Sequence, residues 1–268
     1  MTDYITGFTR EQLEARRQKL NDYCREQLEH TGPGESPWTR EIQEELEQLR
    51  RYFAEGIHKL TPAELEAAYT PNQSLTEIAT KHGSDKASFH GYTDIYARYF
   101  DPLRDKLINL LEIGIAGGAS LRTWLEYFPR AEIIGVDHNP AACVDFGERC
   151  VSINGDVTDA TLWKKLVDGS WVFDIIIDDG GHFSHQIIPA FEGGWPLLKP
   201  GGLYVIEDLH AIYCNEIAHD PAGKTAFDYF HNLMHEMNER GDHQCGKPSS
   251  SDIEWMHFSK SLVIIKKR

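Results

Sequence analysis

Five short runs of aliphatic and β-branched residues recur between residues 107 and 206, each followed by a stretch of helical character. They are Leu107 to Ile113, Glu132 to Asp137, Cys150 to Asn154, Phe173 to Asp178 and Gly202 to Ile206. Strands separated by helices pair in parallel through crossover connections, because no hairpin can join them. The tail breaks this rule. Ile253 to Phe258 and Ser261 to Lys266 are separated by a tight turn and read as an antiparallel hairpin. The pattern therefore predicts an α/β fold: a doubly wound, mostly parallel, Rossmann-like sheet of seven strands with an antiparallel C-terminal hairpin.

Upstream, residues 9 to 69 read as helices. From Ile42 the apolar positions Leu46, Leu49, Phe53, Ile57 and Leu60 form a stripe at helical spacing, which is a packing face. Gly32-Pro33-Gly34 separates this stripe from a more charged segment, Leu13 to Leu28. Pro71-Asn72-Gln73-Ser74 marks the expected boundary, giving an N-terminal helical extension over residues 1–75 and the α/β domain over 76–268. The extension is expected to serve as an auxiliary domain or an oligomer arm, with the chain forming a homo-oligomer.

The 27 Lys plus Arg stand against 42 Asp plus Glu, a formal charge of -15. That balance argues against nucleic acid and against anionic lipid as partners. The five cysteines include no Cys-x-x-Cys pair and are expected to be reduced thiols. No secretory leader and no apolar run of membrane length is visible, so the expectation is a cytoplasmic protein.

Leu111-Glu112-Ile113-Gly114-Ile115-Ala116-Gly117-Gly118-Ala119-Ser120 follows the first strand and enters an amphipathic helix carrying Leu121, Trp124, Leu125 and Phe128. Glycines there permit a tight turn and a close approach of backbone to ligand. A glycine loop alone is weak evidence. The second strand ends on Asp137, placed to accept both hydroxyls of a ribose, and Asp156 after the third strand falls beside the expected adenine position. Glu112, at the end of the first strand, can approach the ammonium of an amino-acid moiety. Taken singly, each acid reads more simply as a cap or a surface group. Together in this strand order they indicate S-adenosylmethionine (SAM). A nicotinamide dinucleotide is the competing ligand. The absence of Tyr-x-x-x-Lys, the loose glycine pattern and the terminal hairpin, a feature of class I methyltransferases, count against it.

The fourth strand ends Ile177-Asp178-Asp179-Gly180-Gly181-His182, and the fifth ends Val205-Ile206-Glu207-Asp208. Adjacent parallel strands bring these ends together at the carboxyl edge of the sheet, where ligands bind in open α/β folds. Asp179, Glu207 and Asp208 are expected to converge on one hard cation, magnesium or manganese. Asp178 is expected to face the cofactor or the sheet edge. A cation holding two neighbouring hydroxyls would acidify one of them, and His182 would remove its proton as general base. The simpler alternative makes Gly180-Gly181 a turn that His182 caps. His231 and His235 share a helix face at i, i+4 but lack a third ligand, and read as helix surface. His185, His210 and His257 are candidates for lining an acceptor pocket, whose loops are expected at Leu209 to Gly223 and Glu239 to Ser251.

Three of these segments resemble the metal-dependent sugar O-methyltransferases of macrolide biosynthesis, in particular the mycinamicin-type deoxysugar 2-O-methyltransferases. They are Glu112 to Gly118, Asp179-Gly180-Gly181-His182, and Lys199-Pro200-Gly201-Gly202-Leu203-Tyr204-Val205-Ile206-Glu207-Asp208. Lys81-His82-Gly83-Ser84-Asp85-Lys86 and His90-Gly91-Tyr92 also resemble that family's cofactor-covering entry segment. The similarity spans roughly residues 75 to 268, and the N-terminal helices do not share it. The resemblance implies a magnesium site at Asp179, Glu207 and Asp208 with His182 as base. It also implies SAM contacts from Lys86, Tyr92, Glu112, Gly114, Ser120, Asp137 and Asp156. The expected activity is O-methylation of a (deoxy)sugar hydroxyl on a glycosylated small-molecule acceptor in antibiotic biosynthesis. A catechol-type acceptor, or a SAM-binding interaction module without catalysis, are the alternatives.

Overall fold

The computed structural model describes residues 73–217, 223–239 and 252–268. The N-terminal helical stripe, most of the Glu239 to Ser251 loop, Cys24 and Cys245 lie outside the described residues, and the expected boundary at residue 75 lies at their margin. The strand order is β3-β2-β1-β4-β5-β7-β6 in one seven-stranded sheet. The described chain divides after Gly155 into two compact units.

The first unit holds three parallel strands: β1 (Ile108–Ile113), β2 (Ala131–Asp137) and β3 (Cys150–Asn154). All six residues of β1 are buried, four aliphatic residues together with Asn109 and Glu112, so the strand is covered on both faces and shows no alternation. Helices α1 (Leu75–Lys81), α2 (Asp85–Ser88) and α3 (Thr93–Phe100) precede β1, and α4 (Ala119–Tyr127) follows it. Helix α1 starts with a capping box: Ser74 accepts from the Glu77 N–H while the Glu77 carboxylate accepts from the Ser74 N–H. The stripe expected on α4 is its packing face. Trp124 is fully buried against Tyr96 and Phe100, with ring centroids at 5.7 and 5.8 Å, and Phe128 completes the group.

The second unit holds α5 (Ala160–Asp168), β4 (Phe173–Asp178), α6 (Ser184–Gly194), β5 (Leu198–Ile206), a π-helical turn (Tyr213–Ile217), α7 (Ala226–Glu239), β6 (Ile253–Ser259) and β7 (Leu262–Lys267). β4 and β5 are parallel, while β5–β7 and β7–β6 are antiparallel, which is the expected hairpin. β5 begins four residues before its predicted start. The Pro200-Gly201 pair that reads as a break is absorbed by a register shift between Phe173↔Leu198 and Ile175↔Leu203, with Gly201 at φ 78°. The π-helical turn stands where the sequence suggested only loop. Phe191 on α6 packs between Tyr204, Trp195 and Phe230, joining α6 and α7 to β5.

Lys267 closes the C-terminal edge. Its buried ammonium donates to the Trp195 carbonyl at 2.8 Å and lies 3.5 Å from Asp252, whose other oxygen accepts from the Trp195 indole at 2.9 Å. No helix among the described residues is long and apolar enough to cross a membrane.

Candidate active site

The glycine loop links β1 to α4. Gly118 takes φ 74°, a backbone conformation that favours glycine, and a Cβ there would push the tip of the Phe146 ring aside. Asp137 at the end of β2 braces the loop. Its Oδ2 accepts from the N–H groups of Ile115 and Ala116 at 2.8 and 3.1 Å, and its Oδ1 from Asn139 at 2.8 Å. Burial works to raise this carboxyl, but the Asn139, Ala116 and Ile115 donors outweigh it and hold the group below the ordinary aspartate value. Ionised Asp137 is therefore part of the loop's own structure. Nothing in the sequence alone signalled that bracing role.

Glu112, Ser120 and Lys86 form one buried cluster. The Ser120 hydroxyl donates to Glu112 Oε2 at 2.9 Å, and the Lys86 ammonium lies 3.6 Å from Oε1. Lys86 and Glu112 are 1% and 0% exposed, so these two charges balance each other inside the fold. Tyr92 is also buried, stacked on His90 at 5.1 Å. Gly114 donates to the Val136 carbonyl at 2.8 Å, tying the loop to β2. Asp156 is exposed and accepts from both the N–H and the hydroxyl of Thr158, each at 2.8 Å.

In the second unit, β4 and β5 run in register with Asp178 opposite Ile206, so Asp179 and the Glu207-Asp208 pair leave the sheet at the same level. One ligand atom from each of Asp179, His182 and Asp208 fits within a 4.8 Å set. His182 Nε2 is 3.9 Å from both Asp179 Oδ1 and Asp208 Oδ2. All three side chains are partly exposed, at 23, 26 and 15%, and so open to a ligand. His182 and Asp208 both adopt left-handed backbone, φ 57° and 54°. Such conformations cost roughly 1–3 kcal/mol each in non-glycine residues, and they concentrate at functional sites.

Glu207 does not stand in this group. It is 1% exposed, and its backbone N–H donates to the Asp178 carbonyl. Of the three acids expected to share a cation, the geometry thus joins two, with His182 as the third member. Asp178 is buried, and its Oδ2 has no hydrogen-bond partner among the described residues. Burial pushes its carboxyl up to about 7, against the Gly180 N–H that favours the anion. His231 and His235 sit on α7 with rings 4.5 Å apart, and no third ligand among the described residues joins them.

Sequence reasoning missed the tie that holds this corner. Ser184, at the start of α6, donates its N–H to the Glu216 carboxylate, while its hydroxyl accepts from the Ala226 N–H at 2.8 Å. The partners lie 32 and 42 residues away, beyond the reach of any local pattern.

Residues 111–209 match the family described as a methyltransferase domain. The chain is 33% identical over 207 residues to an 8-demethyl-8-alpha-L-rhamnosyl tetracenomycin-C 2'-O-methyltransferase of Streptomyces olivaceus, a match covering 72% of this chain and 54% of that protein. It is 34% identical to the mycinamicin VI 2''-O-methyltransferase of Micromonospora griseorubida, over 66% of this chain and 46% of that protein. The chain thus spans about half the length of the curated relatives it matches. Among solved structures it is similar to the MycE methyltransferase of the mycinamycin pathway in complex with Mg, SAH and mycinamycin VI. The TM-score is 0.66 at 28% identity, covering 74% of this chain and 54% of that one. Residues 111–209 thus match a methyltransferase domain, and the sheet that carries them has the class I methyltransferase fold.

Proposed function

We propose that this chain is a SAM- and magnesium-dependent O-methyltransferase that methylates a hydroxyl of a (deoxy)sugar on a glycosylated natural product. The observation that carries the reading is the Asp179–His182–Asp208 group, whose ligand atoms lie within 4.8 Å of one another at the end of β4 and β5. Two carboxylates in a partly open setting suit a hard divalent cation, with the imidazole beside them serving as a proton acceptor and not as a ligand, and a non-catalytic binding module would have no use for either. Rhamnosyl and macrolide sugar methyltransferases among the relatives, and the Mg and SAH held by MycE, support the same chemistry.

Asp179 and Asp208 would hold the cation, with Glu207 supporting the set from its buried position. A bound magnesium ion supplies positive charge that acidifies a neighbouring sugar hydroxyl. His182 takes that hydroxyl's proton at its imidazole, and the two flanking carboxylates stabilise the imidazolium that results. The glycine loop, braced by Asp137, binds the SAM that supplies the methyl group, with Lys86, Tyr92, Glu112, Gly114, Ser120, Asp156 and Asp178 as the further cofactor residues. The enzyme's own contribution is positioning and charge.

The test is methyl transfer from SAM to a panel of rhamnosyl glycosides and catechols, followed by mass spectrometry, with EDTA and with magnesium restored. Methylated glycoside that disappears in EDTA and returns with magnesium is the expected result. Turnover indifferent to EDTA would remove the metal from the reaction, and methylated catechol without methylated glycoside would remove the sugar.

A further inference from the structure

Six large apolar side chains among the described residues are exposed, and two of them flank the Asp179–His182–Asp208 group in sequence. Phe183 follows His182 directly and is 37% exposed, while Tyr213, five residues past Asp208 on the π-helical turn, is 57% exposed. Exposed aromatic rings gathered beside a polar site are a mark of ligand recognition. Neither ring is loose. Tyr213 rests against Phe227 with centroids 5.1 Å apart, and Phe183 leans on His185 at 5.5 Å.

Ser184 ties together the segments that carry these rings. Its N–H is held by Glu216 on the Tyr213 turn, and its hydroxyl accepts from Ala226, the neighbour of Phe227. One residue two positions past His182 thus ties the turn and the start of α7, and with them the Tyr213–Phe227 pair, to the loop that carries the proposed base. That long-range knot is more than burial of the turn requires, since Tyr213 itself stays in solvent.

We infer that Tyr213 and Phe183 are the walls of the acceptor subsite, taking the apolar C–H face of the pyranose while its hydroxyl edge meets Asp179, His182 and Asp208. A pyranose has this division built in: hydroxyls lie around its rim, and C–H groups, with the methyl of a 6-deoxysugar, make its faces. An aromatic ring offers area and rigidity to such a face at little entropic cost. The assignment rests on the sugar-methylating reading above.

Steady-state kinetics with a rhamnosyl glycoside that the wild-type chain methylates tests it, using Tyr213→Ala, Tyr213→Phe and Phe183→Ala. The alanine variants are expected to raise KM for the glycoside about tenfold, with kcat within about twofold and KM for SAM unchanged. Tyr213→Phe keeps the stacking face and is expected to restore the wild-type KM. Circular dichroism and thermal melting check that the variants fold. An active wild type whose alanine variants keep the same glycoside KM overturns the subsite while leaving the proposed reaction standing. A wild type that methylates no glycoside overturns both.

Discussion

In the unit that ends at Gly155, the chain itself engages the carboxylates at the strand ends. Asp137 accepts three backbone N–H groups, and Glu112 accepts from Ser120 beside the Lys86 ammonium. In the unit that begins at Asp156, Asp179 and Asp208 instead turn to one imidazole at equal distances of 3.9 Å, in partly open surroundings. The first arrangement uses negative charge as scaffolding. Ionised Asp137 there holds the glycine loop through backbone donors on both of its oxygens. The second leaves two like charges near one another, an arrangement that a cation or a protonated histidine relieves. Cofactor binding and acceptor activation should therefore be separable, each failing without the other.

The strongest test of that separation is His182. His182→Asn keeps a residue tolerant of left-handed backbone, and should slow methyl transfer about 100-fold or more while leaving SAM affinity by calorimetry unchanged. Near-normal turnover would strike His182 from the base role. Next in size, Asp208→Asn should raise the magnesium concentration giving half-maximal activity by about tenfold or more, whereas Glu207→Gln should act mainly on stability. If Glu207→Gln weakens magnesium activation and Asp208→Asn does not, Glu207 is the metal ligand and Asp208 the supporting residue.

On the scaffolding side, Asp137→Ala strands the Ile115, Ala116 and Asn139 donors. Chemical denaturation should register a loss of about 3 kcal/mol, with weakened SAM binding and an unaltered magnesium requirement in whatever activity remains. A changed magnesium requirement would break the division between the two units.

The smallest effect concerns the buried lysine of the second unit. Burial lowers the Lys267 ammonium to about 8, against the attraction of Asp252. An unfolded chain holds that proton up to about 10.4, so between these values the unfolded state binds more protons and stability rises with pH. Below about 8 both states are protonated and the burial cost is fully present. Lys267→Met should remove a rise on the order of 2 kcal/mol across this window, read as a flattened dependence of Tm on pH. An unchanged slope would show that Lys267 does not titrate there.

Much of the fold was legible from local pattern. β3 and β4 match their expected ends, the hairpin is where the turn placed it, and Leu121, Trp124 and Phe128 of the expected stripe are buried, with Leu125 half-buried. These features depend on residues a few positions apart, which is the range over which periodicity and turn chemistry operate. Local pattern starts β5 too late because Pro200-Gly201 signals a break, and only pairing with β4 allows the strand to run through it.

The candidate site divides along the same line. Sequence named Asp179, Glu207 and Asp208 for a cation and His182 for a base, because strand order alone sends the ends of β4 and β5 to one edge. It had no means of separating Glu207 from Asp208. Alternation along a strand stops at the strand's end, and in the structure Asp208, on left-handed backbone, is the one grouped with Asp179 and His182. Asp137 as a brace, the Lys86–Glu112 pair and the Ser184 knot all join residues more than twenty positions apart. The chain determines which acids exist and at which strand ends they stand. Only tertiary packing decides which of them accept backbone hydrogen bonds or are buried beside a lysine, and which stand in partly exposed surroundings next to an imidazole.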